Sequence, residues 1–443
     1  MKLTRRSFLQ LTAGTLAFAQ TARARRPNIV MILADDMGYE CLGSYGSTTY
    51  KTPRLDKLAA EGVRFTHAYA QPLCTPTRMQ LMTGQQNFRN WRAFGVMDPK
   101  EITFGHLMSA QGYKTCIAGK WQLYSYNPPD YQPEWRGKGK PPKDAGFDEY
   151  CLWHAWQTED KGSRYADPTF DENGQIKTLK GKYGEDVFCD YINRFVERHR
   201  HEPFFVYYPM TLTHPPFMPT PRSAEWAREN RLKPDPKHYK DMVEYMDEVV
   251  GRVVDNLDRL GLRENTLILF YSDNGTPVGV RSQLGSRVVD GGKGLTTDAG
   301  MRVPLIVDWR GVTRVTPSGK VLPDLVDSTD FLPTMFDAIG AKLPPDRVAD
   351  GHSFMPQLRG QKGTPREWIY CHYDPRPGHD KDQYGLLIFA RNQRYKLYSD
   401  GRLFDIDADV LEEHPLAPGA AAPVRKKLQA VIDKYAHDRS SLA

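Results

Sequence analysis

The chain has 443 residues, of which 40% are hydrophobic and 26% are charged, a composition typical of a folded globular protein and not of a disordered one. The formal net charge is +6, but the first 24 residues carry four positive side chains and no acidic one, and six less four leaves +2 for the remainder. This nearly neutral balance gives no electrostatic reason to expect binding to nucleic acid or to an anionic membrane. Any attraction to an anionic substrate must therefore be local.

The N-terminus has the pattern of an export signal. An apolar stretch at residues 9–19 is preceded by positive charges and followed by small residues, which predicts a cleaved signal peptide over residues 1–24. The pair Arg5-Arg6 resembles a twin-arginine signal, which exports proteins already folded. The apolar stretch is shorter than the roughly 20 residues of a membrane span. We therefore expect a periplasmic or secreted protein without stable membrane insertion.

Apolar runs alternate with helical patterns from residue 25 to about residue 360. A continuous apolar run such as Asn28–Ala34 predicts a strand buried on both faces, whereas apolar residues at helical spacing predict an amphipathic helix. In chain order, we predict a strand at Asn28–Ala34, a helix opened by Pro53 and stopped by Gly62, an extended segment at 63–70, helices at 79–83 and 103–111, strands at 113–118 and 204–210, a long helix at 236–260, and strands at Thr266–Ser272 and 304–309. This alternation predicts an α/β fold with a large, mostly parallel sheet flanked by helices.

A different pattern follows residue 360. Strand patterns at Ile369–Tyr373, 384–391, 395–399 and 403–406 succeed one another without helices between them, and a final helix is predicted at 423–436. Closely spaced strands followed by one helix predict a small antiparallel α+β subdomain. We therefore divide the chain into the signal peptide, a main domain at 25–360 and a C-terminal subdomain at 361–443.

Two polar pairs follow apolar strands. Asp35 and Asp36 come directly after the first strand, and Asp273 and Asn274 come directly after Thr266–Ser272. If the two strands are parallel neighbours, all four side chains lie at one edge of the sheet. One such pair alone would suggest only a turn or a helix cap. The two together predict a site for Ca²⁺ or Mg²⁺, because these cations prefer oxygen ligands and because gathered carboxylates repel one another without a cation.

A cysteine with a chemical context lies between the two pairs. Cys74 precedes Arg78 at the expected start of a helix. A thiol at a helix N-terminus beside a guanidinium has a lowered pKa and can act as a nucleophile. Cys74 is therefore a candidate catalytic residue.

The segment Cys74-Thr75-Pro76-Thr77-Arg78 resembles the Cys-Ser/Thr-Pro-x-Arg signature of the sulfatase family, in which the cysteine is oxidised to formylglycine. The resemblance extends from about residue 27 to the C-terminus. The other similar segments, in the order of the family, are 28–38, Gly119-Lys120-Trp121, Thr213-His214-Pro215-Pro216, Ser272-Asp273-Asn274-Gly275, Gly292-Lys293-Gly294, 300–304, 350–354 and 395–398. The resemblance implies an alkaline-phosphatase-like fold, with residues 25–360 as the catalytic domain.

The resemblance also implies a cofactor and a maturation partner. One Ca²⁺ would be held by five side chains, which are those of Asp35, Asp36, Cys74, Asp273 and Asn274. A separate formylglycine-generating enzyme would convert Cys74 into the aldehyde residue. Hydrolysis would then begin with one hydroxyl of the hydrated aldehyde, and the second hydroxyl would allow the sulfate to leave by C–O cleavage.

The remaining site residues follow from the same resemblance. Arg78, Lys120 and Lys293 would surround the sulfate, whose transition state spreads negative charge over its oxygens. His214 would donate a proton to the departing oxygen.

Gln122 departs from the family pattern, because histidine usually occupies this position and is thought to take the proton that triggers sulfate release. Glutamine can form hydrogen bonds but cannot act as a base near neutral pH. We hypothesise that another group takes this role and that Gln122 still binds the formylglycine. Slow sulfate release, or a site that is no longer a sulfatase, are the other interpretations.

The substrate is the least determined part of the prediction. We expect a sulfated small molecule or glycan, with a carbohydrate favoured and aryl sulfates as surrogates. Trp153, His154 and Trp156 could line a sugar-binding cleft or belong to the core, and the same two interpretations apply to Tyr39, Tyr45 and Tyr50. The alternative functions are a phosphoester or phosphonate monoester hydrolase, which would use the same cations, and a non-catalytic binder of sulfated glycans.

Overall fold

A computed structural model of the protein describes residues 26–125, 132–156, 161–227, 229–313 and 321–440. The predicted signal peptide lies outside the described residues. The strands are β1 (Asn28–Ala34), β2 (Val63–Tyr69), β3 (Lys114–Lys120), β4 (Glu149–Trp153), β5 (Thr169–Glu172), β6 (Gln175–Thr178), β7 (Phe204–Pro209), β8 (Thr266–Ser272), β9 (Arg281–Leu284), β10 (Arg287–Asp290), β11 (Leu305–Asp308), β12 (Val321–Asp327), β13 (Ile369–Tyr373), β14 (Leu387–Arg391), β15 (Tyr395–Tyr398) and β16 (Leu403–Asp405).

The helices lie between these strands and at the C-terminus. They are α1 (Pro53–Glu61), α2 (Cys74–Thr83), α3 (Phe104–Ala110), α4 (Gly184–Arg198), α5 (His238–Arg259), α6 (Asp298–Met301), α7 (Arg310–Thr313), α8 (Phe331–Ala338), α9 (Met355–Leu358) and α10 (Ala422–Ser440). Within the described residues, no helix is both long and apolar enough to cross a membrane.

Ten strands form one sheet in the order β12-β2-β11-β8-β1-β7-β3-β4-β5-β6. The central strands β8, β1, β7, β3 and β4 are parallel to one another, whereas β11 runs antiparallel to both of its neighbours and β5 and β6 form an antiparallel edge. The predicted α/β class and the large sheet are confirmed. Every residue of β1, β7 and β8 is buried, as expected when helices cover both faces of a parallel sheet.

Alternate residues of β1 pack into two different cores. Val30 and Ile32 point to the side of the sheet covered by α4 and α5, and Ile29 and Met31 point to the side covered by α2, α3 and α8. This division follows from the two-residue period of a strand. A double-sided core of this size holds the C-terminal edge of the central strands in fixed positions.

The C-terminal strands β13-β14-β15-β16 form a separate antiparallel sheet, which confirms the predicted small antiparallel subdomain. One face of this sheet packs against α10. The other face shares a hydrophobic cluster with Tyr69, Cys74 and Met301 of the main domain. The division at residue 360 stays a prediction, but the subdomain clearly packs close to the predicted nucleophile.

Candidate active site

The two polar pairs meet at the carboxyl edge of the central sheet. Strands β1 and β8 pair in parallel with Ala34 opposite Ser272, so the residues that follow them are neighbours. The Asn274 side-chain amide donates a hydrogen bond of 2.8 Å to Asp36 Oδ1, and the Asp36 backbone N–H donates one of 3.1 Å to Asp273 Oδ1. We call Asp35, Asp36, Asp273 and Asn274 the acidic cluster. All four of its side chains are fully buried.

The backbone around the cluster is tightly constrained. Asp36 has a φ of 64°, in the left-handed region that a residue other than glycine seldom occupies. The Asp35 backbone accepts a 2.6 Å hydrogen bond from the Thr213 N–H and donates one of 2.8 Å to Leu212. The loop that carries His214 is therefore bound directly to the first carboxylate pair.

Each carboxylate of the cluster has a cationic partner. The Lys120 ammonium lies 2.8 Å from Asp35 Oδ2, and the Lys293 ammonium lies 2.6 Å from Asp36 Oδ2. The third partner is Arg78, whose Nε and Nη2 donate hydrogen bonds of 3.0 and 2.7 Å to Asp273 Oδ2. Three carboxylates are thus paired with three cationic side chains, and the carboxylates are fully buried.

Three different elements deliver these cations. Arg78 lies on α2, Lys120 ends β3, and Lys293 lies in the loop before α6. Gly119 has a φ of +127°, and a Cβ there would lie 2.0 Å from the carbonyl oxygen of Pro209. Because β3 approaches the end of β7 this closely, only glycine fits before Lys120.

The carboxylates of the cluster do not share their charge equally. Burial opposes ionisation of Asp35, but the charges of Lys120, Arg78 and Lys293 hold its pKa below the ordinary value. Burial and the neighbouring Asp35 charge raise the pKa of Asp273 to about 7. The repulsion between adjacent carboxylates is therefore only partly relieved by the protein's own cations.

The cluster fits a hard divalent cation. Asn274 Oδ1 is buried and has no hydrogen-bond partner among the described residues, although buried amide oxygens normally have one. Asp35, Asp36 and His214 each present one ligand atom, and these three atoms lie within 4.8 Å of one another. The sequence prediction did not include His214 among the ligands. A set made mostly of oxygen donors favours Ca²⁺ or Mg²⁺ over soft metals.

His214 lies at the rim of the cluster, with Nε2 3.8 Å from Asp36 Oδ2. Its Nδ1 is 2.6 Å from the Pro215 carbonyl oxygen, which can only accept, so Nδ1 carries the proton. Burial and the charges of Lys293, Lys120 and Arg164 lower the pKa of His214 well below its usual value. A protonated Nε2 would therefore be a strong acid towards a group bound at the cluster.

Cys74 is the first residue of α2, as predicted, although the whole helix begins five residues earlier than the predicted segment at 79–83. Its side chain is buried. The Thr77 hydroxyl donates a 2.6 Å hydrogen bond to the Asp273 carbonyl oxygen, which joins this helix to the acidic cluster. Burial opposes the charged form of Lys293, but the charges of Asp36 and then of Cys74 raise its pKa. Against the same effect of burial, Cys74 also raises the pKa of Arg78, by less than Asp273, Asp35 and Tyr207 do. Cys74, Arg78 and Lys293 therefore lie within electrostatic reach of one another.

Gln122 is buried and has a φ of 62°. Its backbone N–H donates a 3.1 Å hydrogen bond to the His154 carbonyl oxygen, so positions 122 and 154 extend the pairing of β3 and β4. Its side-chain oxygen has no hydrogen-bond partner within the described residues. The amide is thus available for a group that the chain itself does not supply.

The aromatic residues suggested for a sugar cleft belong largely to the core. Trp153 is only 2% exposed and belongs to the same hydrophobic cluster as residues of β1 and α4, so the structure favours the core interpretation for this residue. Tyr39 and Tyr50 are also buried, whereas Tyr45 and Trp156 are partly buried. Trp153 ends the internal strand β4, where its large ring fills space between the sheet and the helices.

The C-terminal subdomain holds the segment that carries Lys293, a contact that sequence reasoning missed. Arg391 on β14 forms a buried ion pair with Asp298, and the Tyr398 hydroxyl lies 2.8 Å from Thr296 Oγ1. The Tyr373 hydroxyl donates a 3.2 Å hydrogen bond to the Gly294 carbonyl oxygen. We call these contacts the clasp. No local sequence signal could reveal it, because its two sides are far apart in the chain.

The comparisons with known proteins agree with this geometry. A family model described as "Sulfatase" matches residues 27–341, which is more than half of the chain. The chain belongs to the sulfatase family. A second model, described as "N-sulphoglucosamine sulphohydrolase, C-terminal", matches residues 292–437 of this sulfatase. The predicted family is thereby confirmed.

Individual relatives support the same assignment. Human arylsulfatase A is 32% identical over 430 residues, which cover 89% of this sulfatase and 78% of the relative. N-acetylgalactosamine-6-sulfatase of Canis lupus familiaris is 31% identical over 438 residues, with the same two coverages. A solved structure described as a complex with its substrate D-glucosamine-2-N,6-O-disulfate has a TM-score of 0.73 and 23% identity, and the match covers 94% of this chain and 99% of that one. This sulfatase is a sulfuric ester hydrolase with the fold of known sulfatases.

Proposed function

We propose that this sulfatase hydrolyses sulfate monoesters with a formylglycine made from Cys74 and one Ca²⁺ held by the acidic cluster. The observation that carries the proposal is the convergence of three buried carboxylates and the unsatisfied Asn274 Oδ1 on the helix that begins at Cys74. Buried carboxylates gathered in this way are stabilised by a cation with oxygen ligands. A separate maturation enzyme would supply the formylglycine.

The charge balance of the site supports this proposal. The charges of Arg78, Lys120 and Lys293 offset those of the three aspartates. Addition of a divalent cation would leave the site with a net charge of about +2, which favours the negative charge that develops on sulfate oxygens. The three protein cations would then be free to turn from the carboxylates towards the sulfate.

The two added groups would supply chemistry that the unmodified chain lacks. When bound, a divalent cation increases the acidity of a hydroxyl beside it. When formed and hydrated, the aldehyde offers one hydroxyl to attack sulfur and a second that permits sulfate release by C–O cleavage. The side chains of Arg78, Lys120 and Lys293 would orient the ester and neutralise its oxygens.

His214 is the proposed proton donor to the leaving oxygen. Its Nδ1 proton is held by the Pro215 carbonyl oxygen, so Nε2 is the nitrogen that would gain a proton when an anionic ester offsets the charges of Lys293 and Lys120, and it would then pass that proton to the leaving oxygen. As the bond between sulfur and the substrate oxygen breaks, that oxygen gains negative charge, and a proton from Nε2 would allow it to leave as an alcohol.

Gln122 cannot itself accept the proton whose removal triggers sulfate release. We propose that its unsatisfied amide binds the formylglycine and that another group accepts the proton. Turnover of Gln122→His should then be close to that of the wild type. A large gain in turnover by Gln122→His would instead favour slow release in the natural protein.

The proposed substrate is a sulfated carbohydrate, and aryl sulfates are suitable surrogates. We further propose that the N-terminal signal directs the protein to the periplasm or the exterior of the cell. Fractionation of cells that express the full chain, compared with Arg5→Lys/Arg6→Lys, tests the export proposal. Loss of the exported form in the double variant is the expected result, and unchanged export would contradict the twin-arginine assignment.

Mass spectrometry of the peptide that contains Cys74 is the direct test of the modification. The protein should be expressed together with a formylglycine-generating enzyme and digested after denaturation. Conversion of the thiol to the aldehyde gives a characteristic loss of mass, whereas Cys74→Ala should show none and should be inactive. An unmodified thiol in an active preparation would overturn the proposed nucleophile.

A comparison of aryl esters distinguishes the alternative functions. The proposal predicts higher kcat/KM for an aryl sulfate than for the matching phosphate or phosphonate monoester. Lys293→Ala should reduce kcat for the sulfate by about 100-fold, as expected for the loss of a group that stabilises transition-state charge, while the exposed Lys237→Ala should have no effect. Preference for the phosphorus esters would favour the alternative hydrolase. Affinity for sulfated glycans without turnover, despite complete modification, would favour a binding protein.

A further inference from the structure

Arg164 lies beside the active site and forms no ion pair within the described residues. Its guanidinium carbon is 4.0 Å from the centre of the Trp153 ring, and Trp153 is opposite Lys120 in the pairing of β3 and β4. The positive charge of Arg164 is one of those that act on His214, after burial and the charges of Lys293 and Lys120. Arg164 is therefore near His214, the proposed proton donor to the leaving oxygen, and the hydroxyl of the adjacent Tyr165 contacts the His214 carbonyl oxygen.

The loop that carries Arg164 is fixed to the site. The hydroxyl of Tyr165 lies 2.7 Å from the Thr211 carbonyl oxygen and 2.5 Å from that of His214, and its single proton is shared between these two acceptors. The Gly184 N–H donates a 2.8 Å hydrogen bond to the Tyr165 carbonyl oxygen, and a Cβ at position 184 would lie 1.9 Å from the Arg164 carbonyl oxygen. An anchored loop and a stacked ring hold the guanidinium in place before any ligand binds.

The guanidinium nevertheless lacks the partners that such groups normally have. Arg164 Nη1 is buried without a hydrogen-bond partner, and in the part of the chain that the structure describes the side chain forms no ion pair. Its guanidinium carbon lies over the Trp153 ring, and its N–H groups form no hydrogen bond within the described residues. By contrast, the fully buried arginines in the described part of this sulfatase all pair with aspartates: Arg78 with Asp273, Arg263 with Asp308, Arg366 with Asp330, and Arg391 with Asp298.

We infer that Arg164 binds a second anionic group of the substrate, located on the alcohol part beside the sulfate that is cleaved. The N–H edge of a guanidinium matches the two oxygens of a carboxylate or a sulfate. Because this group would stay on the alcohol product, it contributes to substrate choice and not to the chemical step. The inference rests on the proposed function, and it restricts the substrate class to esters with at least two negative charges.

Binding of stable sulfonates tests the inference without turnover. Isothermal titration calorimetry compares benzenesulfonate with the ortho, meta and para isomers of benzenedisulfonate and of sulfobenzoate. The wild type should bind at least one of the dianions about 10- to 100-fold more tightly than benzenesulfonate, the range expected for hydrogen bonds to a charged group. The disulfonate and sulfobenzoate series distinguish a sulfate from a carboxylate as the second group.

Substitutions at position 164 identify the residue responsible. Arg164→Gln should remove the preference for dianions while its affinity for benzenesulfonate stays within about threefold, because only the second group has lost its partner. Arg164→Lys should restore part of the preference through its charge. The matched control is Arg64→Gln, since Arg64 also stacks on a ring, that of Tyr45 at 5.1 Å, but lies at the start of β2, the opposite end of the sheet from the site.

Hydrolysis separates failure of this inference from failure of the proposed function. Phenyl sulfate should be a poorer substrate than a carboxyphenyl sulfate for the wild type and an equal one for Arg164→Gln. Hydrolysis of both esters at equal rates by the wild type would overturn the role of Arg164 and leave the proposed function intact. If Arg164→Gln lowers the hydrolysis rates of both esters equally, Arg164 only packs on Trp153 and does not bind a second anionic group. Absence of hydrolysis of any sulfate ester by modified protein would overturn both.

Discussion

The clasp makes the placement of Lys293 depend on a buried ion pair in another part of the chain. Arg391→Met tests this dependence. The substitution leaves Asp298 charged and buried, with the more distant Arg302, at 3.5 Å, and the charge of Lys396 to offset it. Loss of one partner of a buried pair costs about 3–5 kcal/mol, and the remaining contact with Arg302 places our expectation near the lower value, at about 3 kcal/mol. The stack of Arg391 on Tyr69, at 3.9 Å, is lost as well.

The sign of the pH dependence follows from Asp298. Burial opposes its ionisation, but Arg391 and Arg302 hold its pKa below the ordinary value. The charged form therefore contributes stability above the unfolded-state pKa, and this contribution is lost as the pH falls through the folded-state pKa. In Arg391→Met the buried negative charge of Asp298 is unfavourable. The loss of unfolding free energy relative to the wild type should therefore become smaller as the pH falls from 8 to about 5.

Urea unfolding followed by tryptophan fluorescence measures the deficit, and an unchanged m-value shows that the same surface unfolds. The double variant Arg391→Met/Asp298→Asn should recover part of the loss, because it removes the uncompensated charge. Arg394→Met is the control, since its ion pair with Asp405 is at the surface. A loss below about 1 kcal/mol in Arg391→Met, or no recovery in the double variant, would refute the reasoning. Activity towards an aryl sulfate should fall by about 10-fold or more, as expected when a catalytic group is slightly misplaced.

Three further predictions concern other parts of the molecule. Gly119→Ala should destabilise the protein by more than about 2 kcal/mol, because its Cβ would meet the Pro209 carbonyl oxygen. Gly112→Ala, which has open space around the added Cβ, should cost only about 1 kcal/mol. Chemical denaturation measures the free energy of unfolding of both variants. Burial raises the pKa of Asp247 to about 6, so the folded state binds the proton more tightly and the stability of the wild type relative to Asp247→Asn should increase as the pH falls from 8 to 5, by about 1–2 kcal/mol; a constant difference would contradict this. Chelation of the bound cation should lower the midpoint temperature of thermal unfolding, and added Ca²⁺ should restore it. At a Ca²⁺ concentration a hundredfold above Kd, the gain in the free energy of unfolding should be about 2–3 kcal/mol. Calorimetry that shows no change would exclude a cation in the acidic cluster.

The central strands could be predicted from sequence because their environment is simple. Strands β1 and β8 are buried along their whole length, so their apolar runs matched the observed bounds. The edge strands β5 and β6 contain exposed and charged residues, and such short segments have no apolar run to identify them. The antiparallel direction of β11 depends on tertiary pairing and has no signal within its four residues.

The candidate site was predictable in its members and not in its contacts. Two acidic pairs at strand ends and the motif at Cys74 were sufficient to expect one cluster. The pairing of each carboxylate with its own cation depends on distances between distant segments, which the order of motifs does not contain. Arg164 belongs to no sequence motif. The feature on which its proposed role rests, a guanidinium without an ion-pair partner beside the site, is visible only in the structure.

The burial of Cys74 limits when, relative to folding, another enzyme could reach this side chain. A side chain that is 2% exposed at the start of a packed helix is out of reach of a second protein. If Cys74 is oxidised as we propose, the modification would have to precede the docking of the helix, on a nascent or loosened chain. If the protein is also exported in its folded form by the proposed twin-arginine signal, the proposed aldehyde would have to be formed before export, by an enzyme in the compartment where the chain is synthesised.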